Sequence, residues 1–158
     1  MSSPTTGAKS KFSIGTTTAA TDAASFAADT FTAIDEIESF GAFGDQAETI
    51  KYTVLGDDRV KKLQGAKDAG SFDLTCIYLA SDAGQAAAQA AFDAGNVYNV
   101  KVELGDALTS GAGPHHGTTF YMRAVVTEAQ IDAGNSKEPA KIKFKFEVTS
   151  AVVTVAAA

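Results

Sequence analysis

The chain has 158 residues, 45% of them apolar, with a net charge of −6 and a pI near 4.8. That length and composition fit one domain around one core, and the acidic balance argues against a nucleic-acid grip, which needs a clustered basic footprint. A single cysteine, Cys76, excludes an internal disulfide, and no apolar run approaches the roughly 20 residues of a membrane helix, so no membrane insertion is expected.

Residues 1–11 are small, polar and turn-rich. They read as a flexible N-terminal arm that orders on assembly, and they show no secretory leader. Residues 12–18 predict a first short strand. Residues 19–29 carry little side-chain volume and read as a long loop. Residues 30–40 predict a mixed strand and turn that ends at Gly41 and Gly44. Over residues 46–55, Glu48, Ile50, Tyr52 and Val54 alternate with Thr49, Lys51 and Thr53, the period of a strand. Gly56, Asp57 and Asp58 are turn residues, and residues 59–64 predict a basic returning strand.

Residues 71–79 alternate as a half-buried strand, with Cys76 as a small buried thiol. One helix is predicted over 83–94, capped by Ser81 or Asp82 and stopped by Gly95. Its expected packing face is Ala86, Ala87, Ala90 and Ala91, with Phe92 as the large anchor. Residues 97–104 predict a strand with Tyr98, Val100, Val102 and Leu104 on one face. After a loop over 105–117, residues 118–127 predict another. The clearest alternation is 140–149, where Ile142, Phe144, Phe146 and Val148 oppose Lys141, Lys143, Lys145 and Glu147. The expected organisation is an arm (1–11), one domain (12–150) and a C-terminal tail (151–158). Seven or so strands and one helix imply a mainly β fold, a β-sandwich or partly open barrel flanked by an α-helix.

No catalytic residue, metal ligand set or cofactor site emerges from the sequence. The pair His115 and His116 lacks further His or Cys ligands. The glycine-rich loop around it lacks the Gly-Lys-Ser/Thr run of a phosphate cradle. Residues 132–138 match a calcium loop only loosely and read as a hairpin connection. The adjacent acids Asp57 and Asp58, or Asp35 and Glu36, read as solvated turn residues, not an acid–base pair.

The order of features resembles the tail tube proteins (major tail proteins) of long-tailed, non-contractile bacteriophages. The resemblance runs through residues 44–70, with Gly56-Asp-Asp-Arg-Val-Lys-Lys-Leu and Lys67-Asp-Ala-Gly70. It continues through the strand from Ser71, the helix opening at Gly84-Gln85, and Tyr98-Asn-Val-Lys-Val102. It implies a structural virion protein that assembles into homohexameric rings, their sheets joining into a ring-shaped β-barrel. The rings would stack around a tape measure protein between tail tip and tail terminator proteins, while DNA transits without specific binding. Assembly would take place in the host bacterial cytoplasm.

On that reading, Leu55, Asp57, Asp58, Arg59, Lys61 and Lys62 form a protruding loop or hairpin that contacts the next ring. Glu36, Glu38, Glu48 and Glu103 are the expected lumen acids, and the lysines at 141, 143 and 145 should point outward or pair with a neighbouring subunit's carboxylates. Two rivals stand beside it: a related tube protein of a contractile tail or type VI secretion system, and a capsid decoration or binding module.

Overall fold

The computed structural model describes residues 6–158. The expected arm therefore lies in part outside the described residues. Ten strands and two helices follow in order: β1 (Lys11–Ile14), α1 (Ala23–Ala27), β2 (Thr32–Ile34), β3 (Ile37–Phe40), β4 (Gln46–Tyr52), β5 (Lys61–Asp68), β6 (Ser71–Ile77), α2 (Ala83–Ala94), β7 (Val97–Glu103), β8 (Thr119–Asp132), β9 (Lys141–Val148) and β10 (Val153–Val155). Eight strands form one antiparallel sheet in the order β2-β1-β7-β8-β9-β6-β3, with β10 added to β8. β4 and β5 form a separate two-stranded sheet.

The apolar alternation decides which side of the sheet is the core. Phe72, Leu74 and Cys76 of β6, Val100 and Val102 of β7, Met122 and Ala124 of β8, and Ile142, Phe144 and Phe146 of β9 are all buried on one face. The sheet must curl for that face to close. Phe12 of β1 lies within 5.8 Å of the Phe72 ring and 5.2 Å of the Phe146 ring, although β7 and β8 separate β1 from β9. The result is a partly open barrel whose end strands, β2 and β3, do not pair with each other. Only Asp35 and Glu36 join those two strands, and Glu36 turns the corner at φ 58°.

α2 sits over that corner. Asp82 caps it, accepting from the Gln85 amide at 3.0 Å and the Asp35 amide at 3.2 Å, and Gly95 ends it in the left-handed region. Its buried face is Gly84, Gln85, Ala88 and Ala91, with Ala87 packed at its margin; of the expected stripe, Ala86 and Ala90 are exposed instead. β2 comes so close that a Cβ on Gly84 would collide with the Ala33 carbonyl, which fixes the helix rotation and leaves Phe92 39% exposed instead of anchoring.

Other boundaries also differ from expectation. Residues 19–29 contain helix α1, because Asp22 and Ser25 form a reciprocal capping box and Phe26 is buried, stacked on Tyr121 at 5.3 Å. The basic return strand starts at Lys61 and runs on to Asp68. β8 continues past Thr127 to Asp132, because a bulge between Val126 and Glu128 restores the alternation against β9. Within the expected tail, Val153–Val155 pairs with Thr119–Tyr121.

Candidate assembly surface

The β4–β5 hairpin leaves the body between Phe43 and Ser71, through Gly44 and Gly70, both at positive φ where a side chain is disfavoured. Register decides its two faces. Ile50 opposes Leu63 and Tyr52 opposes Lys61 on one; Lys51 opposes Lys62 and Ala47 opposes Lys67 on the other. Ile50, Tyr52, Val54, Leu55, Val60 and Leu63 are all exposed, Leu55 completely. The hairpin is therefore amphipathic, with its apolar face and apolar tip in solvent.

The turn residues divide their roles. Asp57 accepts from the Arg59 amide at 3.3 Å and pairs with Lys61 at 3.3 Å, which folds the loop on itself. Both side chains are substantially exposed, so this pair sets geometry more than stability. Asp58 and Arg59 flank the turn, and Leu55 stands at its tip. Lys62 lies on the opposite face beside Lys51, and neither these two nor Lys67 reaches a carboxylate among the described residues. Lys51 and Lys67 were missed from the sequence as site residues, although the alternation of Lys51 with Ile50 and Tyr52 was a usable signal.

The four acids expected to act together are dispersed. Glu36 occupies the β2–β3 corner. Glu38 pairs with Lys141 at 3.0 Å, and that contact holds the lysine's pKa above its ordinary value. Glu48 stands on the hairpin. Glu103 ends β7, where it accepts from the Gly117 amide at 3.3 Å. Each lysine of the β9 stripe has a carboxylate within its own chain: besides Lys141 with Glu38, Lys143 meets Asp73 at 3.6 Å and Lys145 meets Glu147 at 4.0 Å. Asp73 comes from β6, which flanks β9, and Glu38 from β3 one strand further out, whereas Glu147 lies on β9 itself; the first two pairings were invisible before the order β9-β6-β3 was known.

Two more acids stand on the same sheet face. Glu128 and Asp132 project from the far half of β8, opposite Lys145 and Lys141; among the described residues neither makes an ion pair, and Asp132 accepts from the Gly134 amide at 3.0 Å. Cys76 is fully buried, and burial, followed by the nearby Asp82 charge, pushes its thiol up to about 12. That is core chemistry, not nucleophile chemistry. Among the described residues, no three His, Cys, Asp or Glu side chains converge as a metal site.

A family described as phage tail tube protein, TTP, matches residues 5–157. No curated protein matches the chain. Among solved structures, the chain is similar to a protein of the native gene transfer agent virion, at 17% identity and TM-score 0.66, covering 97% of this chain and 100% of that one. It is similar to the SPP1 tail tube at 15% identity and TM-score 0.67, covering 97% and 80%. It is also similar to the tube-terminating cap of the anti-feeding prophage, at 13% identity and TM-score 0.69, covering 99% and 94%. At these identities the likenesses establish a shared fold. With the family match across nearly the whole chain, they make this chain a member of the phage tail tube proteins, a structural component of the virion tail.

Proposed function

We propose that copies of this chain close into rings of six, which stack into the tube that conducts DNA into the host. One observation carries this reading: a hairpin outside the main sheet holds Ile50, Tyr52, Val54, Leu55, Val60 and Leu63 in solvent. A contiguous apolar set of this kind marks an interaction surface. Six-fold symmetry in the gene transfer agent tail and the anti-feeding prophage baseplate supports the ring number.

In the tube, the turn bearing Leu55, Asp57, Asp58, Arg59, Lys61 and Lys62 contacts the next ring. Glu36, Glu38, Glu48 and Glu103 contribute acids to the lumen, so that transiting DNA finds no basic track. The chain's role is structural, with no catalytic step assigned. Its further partners are a tape measure protein and the tail tip and terminator proteins, with assembly in the host bacterial cytoplasm before release in the virion. Residues 1–11 act as an arm that becomes protected on stacking, and tubes should resist proteolysis there while free subunits are cut.

A tube of a contractile system is the second reading, since the anti-feeding prophage cap and the SPP1 tube are similar to this chain to the same degree. Electron microscopy of the purified protein tests the proposal. Tubes or six-fold rings are expected, and a protein that stays monomeric at high concentration overturns it in favour of a decoration or binding module. Lys61→Glu with Lys62→Glu should leave the subunit folded and reduce stacking. Normal tubes from that double variant remove the turn from the contact.

A further inference from the structure

α1 lies across the outer face of the sheet and leaves a hollow beside it. Phe26 turns inward and stacks on Tyr121 at 5.3 Å, but the α1 side chains that border the hollow are the methyls of Ala23, Ala24 and Ala27. Between these methyls and Val155 of β10 is a cleft of about 490 Å³, floored by Tyr121. That volume falls in the range of cavities that anchor a bound group. Lys101 and Glu103, two residues apart on β7 and so on one face about 7 Å apart, also line it. Neither has an ion-pair partner among the described residues. Lys101 lies over the Phe31 ring at 5.3 Å, and Glu103 accepts from the Gly117 amide.

The turn of the β4–β5 hairpin carries the matching set. Leu55 is wholly exposed at its tip, with Val54 and Val60 exposed beside it. Asp57 is engaged by Lys61, whereas the side chains of Asp58 and Arg59 make no ion pair among the described residues. An apolar knob is thus followed within four residues by a free acid and a free base. The cleft offers an apolar hollow with a free base and a free acid at one step of a strand. Its own hairpin does not fill it, since Leu55 stands in solvent. We propose that the cleft between α1 and β10 receives Leu55 from the hairpin turn of a second copy of this chain, with Asp58 set beside Lys101 and Arg59 beside Glu103. A large side chain seated in a small pocket and ringed by paired charges is the usual anchor of an interface. This rests on the tube reading and assigns the surface that receives the turn. Seated this way the tip would cover Glu103, so that acid would serve the contact between copies instead of the lumen.

Crosslinking tests the seat inside assembled tubes. Val54→Cys or Leu55→Cys is combined in one chain with Ala24→Cys, Ala27→Cys or Val155→Cys; Cys76 is buried and stays silent. Each double variant is assembled together with an equal amount of wild-type subunit. A seated tip brings Cα atoms within the roughly 4.4–6.8 Å that a disulfide spans. After oxidation, at least one pair should give covalent multimers that neither single variant gives. Normal tubes without multimers from any pair overturn the proposal and leave the tube reading intact, whereas a wild-type protein that forms no tubes removes that reading first.

Filling the cleft and exchanging its charge provide a second readout. Ala27→Trp, at an exposed position of α1, should leave the subunit folded and lower sedimentable tube by at least about tenfold. Lys101→Glu or Asp58→Lys alone should lower it comparably, and the two together should restore most of it. Tubes at wild-type yield from Ala27→Trp or from either reversal alone, or no recovery from the combination when its circular dichroism is native, overturn it.

Discussion

The Asp29 carboxylate accepts a 2.8 Å hydrogen bond from the side-chain amide of Asn99, tying the segment before β2 to the middle of β7. Asn99 is fully buried, yet its polar atoms are satisfied: the amide also donates to the Thr18 carbonyl at 2.8 Å, and its oxygen accepts from Arg123 Nε at 3.2 Å. Asp29 also accepts from the Thr16 hydroxyl and amide. The cluster pins the α1 segment across the outer face of β7 and β8.

Burial alone would raise the Asp29 pKa. The hydrogen bonds from Thr16, Asn99 and the Thr30 amide outweigh it and hold the carboxyl below its ordinary value. A carboxyl with a lowered folded pKa stabilises the protein fully above its unfolded pKa of about 3.9 and loses that contribution as pH falls through the folded value. Asp29→Ala should therefore cost about 1–3 kcal/mol at neutral pH, with the gap to wild type narrowing below about pH 4. Urea unfolding at neutral and acid pH measures both, and a pH-independent gap would rule out this role for the carboxylate.

Gly84→Ala probes the closeness of α2 to β2. Alanine is the better helix former, so propensity alone predicts a gain of about 1 kcal/mol. The new methyl would run into the Ala33 carbonyl and Ile34 Cα, both backbone, which cannot rotate away. The expected net result is a loss of about 1–3 kcal/mol, read from thermal unfolding.

Phe12→Ala tests the curl of the sheet. Phe12 is fully buried between the Phe72 and Phe146 rings and is the large side chain by which β1 reaches across to β6 and β9. The cavity should cost about 3–5 kcal/mol by denaturant titration. Phe120→Ala, at a half-buried ring on the core's margin, should cost less.

Cys76 provides a probe of global opening. With its thiol at about 12 instead of 9.0, native protein at pH 8 holds about a thousandfold less thiolate than a free cysteine, and the side chain is fully covered. Labelling by a thiol reagent should follow unfolding, accelerating with urea in step with loss of structure. Rapid labelling of native protein would show that β3 separates locally from β6 at Cys76.

Leu55→Lys separates folding from assembly. The side chain is wholly exposed, so subunit stability should stay within about 0.5 kcal/mol of wild type. Tube yield in sedimentation should fall, because a charge would enter a contact that now presents an apolar tip.

The sequence by itself determined the strands that face two environments. Ile142, Phe144 and Phe146 against Lys141, Lys143 and Lys145 allow only one phase, and Ser81 or Asp82 with Gly95 bounds α2 to within a residue at its start and fixes its stop. Local chemistry suffices there. The order of local features also carried the family resemblance, since turn, hinge glycine and cap are read within a few residues. What the sequence left open depended on partners distant along the chain. Which face of an alanine-rich helix is buried depended on β2 arriving at Gly84, because alanines on every side make no choice. The neutralisation of the β9 lysines depended on Glu38 and Asp73 crossing from β3 and β6. That β8 runs past its β7 partner beyond Val125 could be seen only once β7 was known to begin at Val97, because a strand's pairing belongs to the sheet and to no single strand.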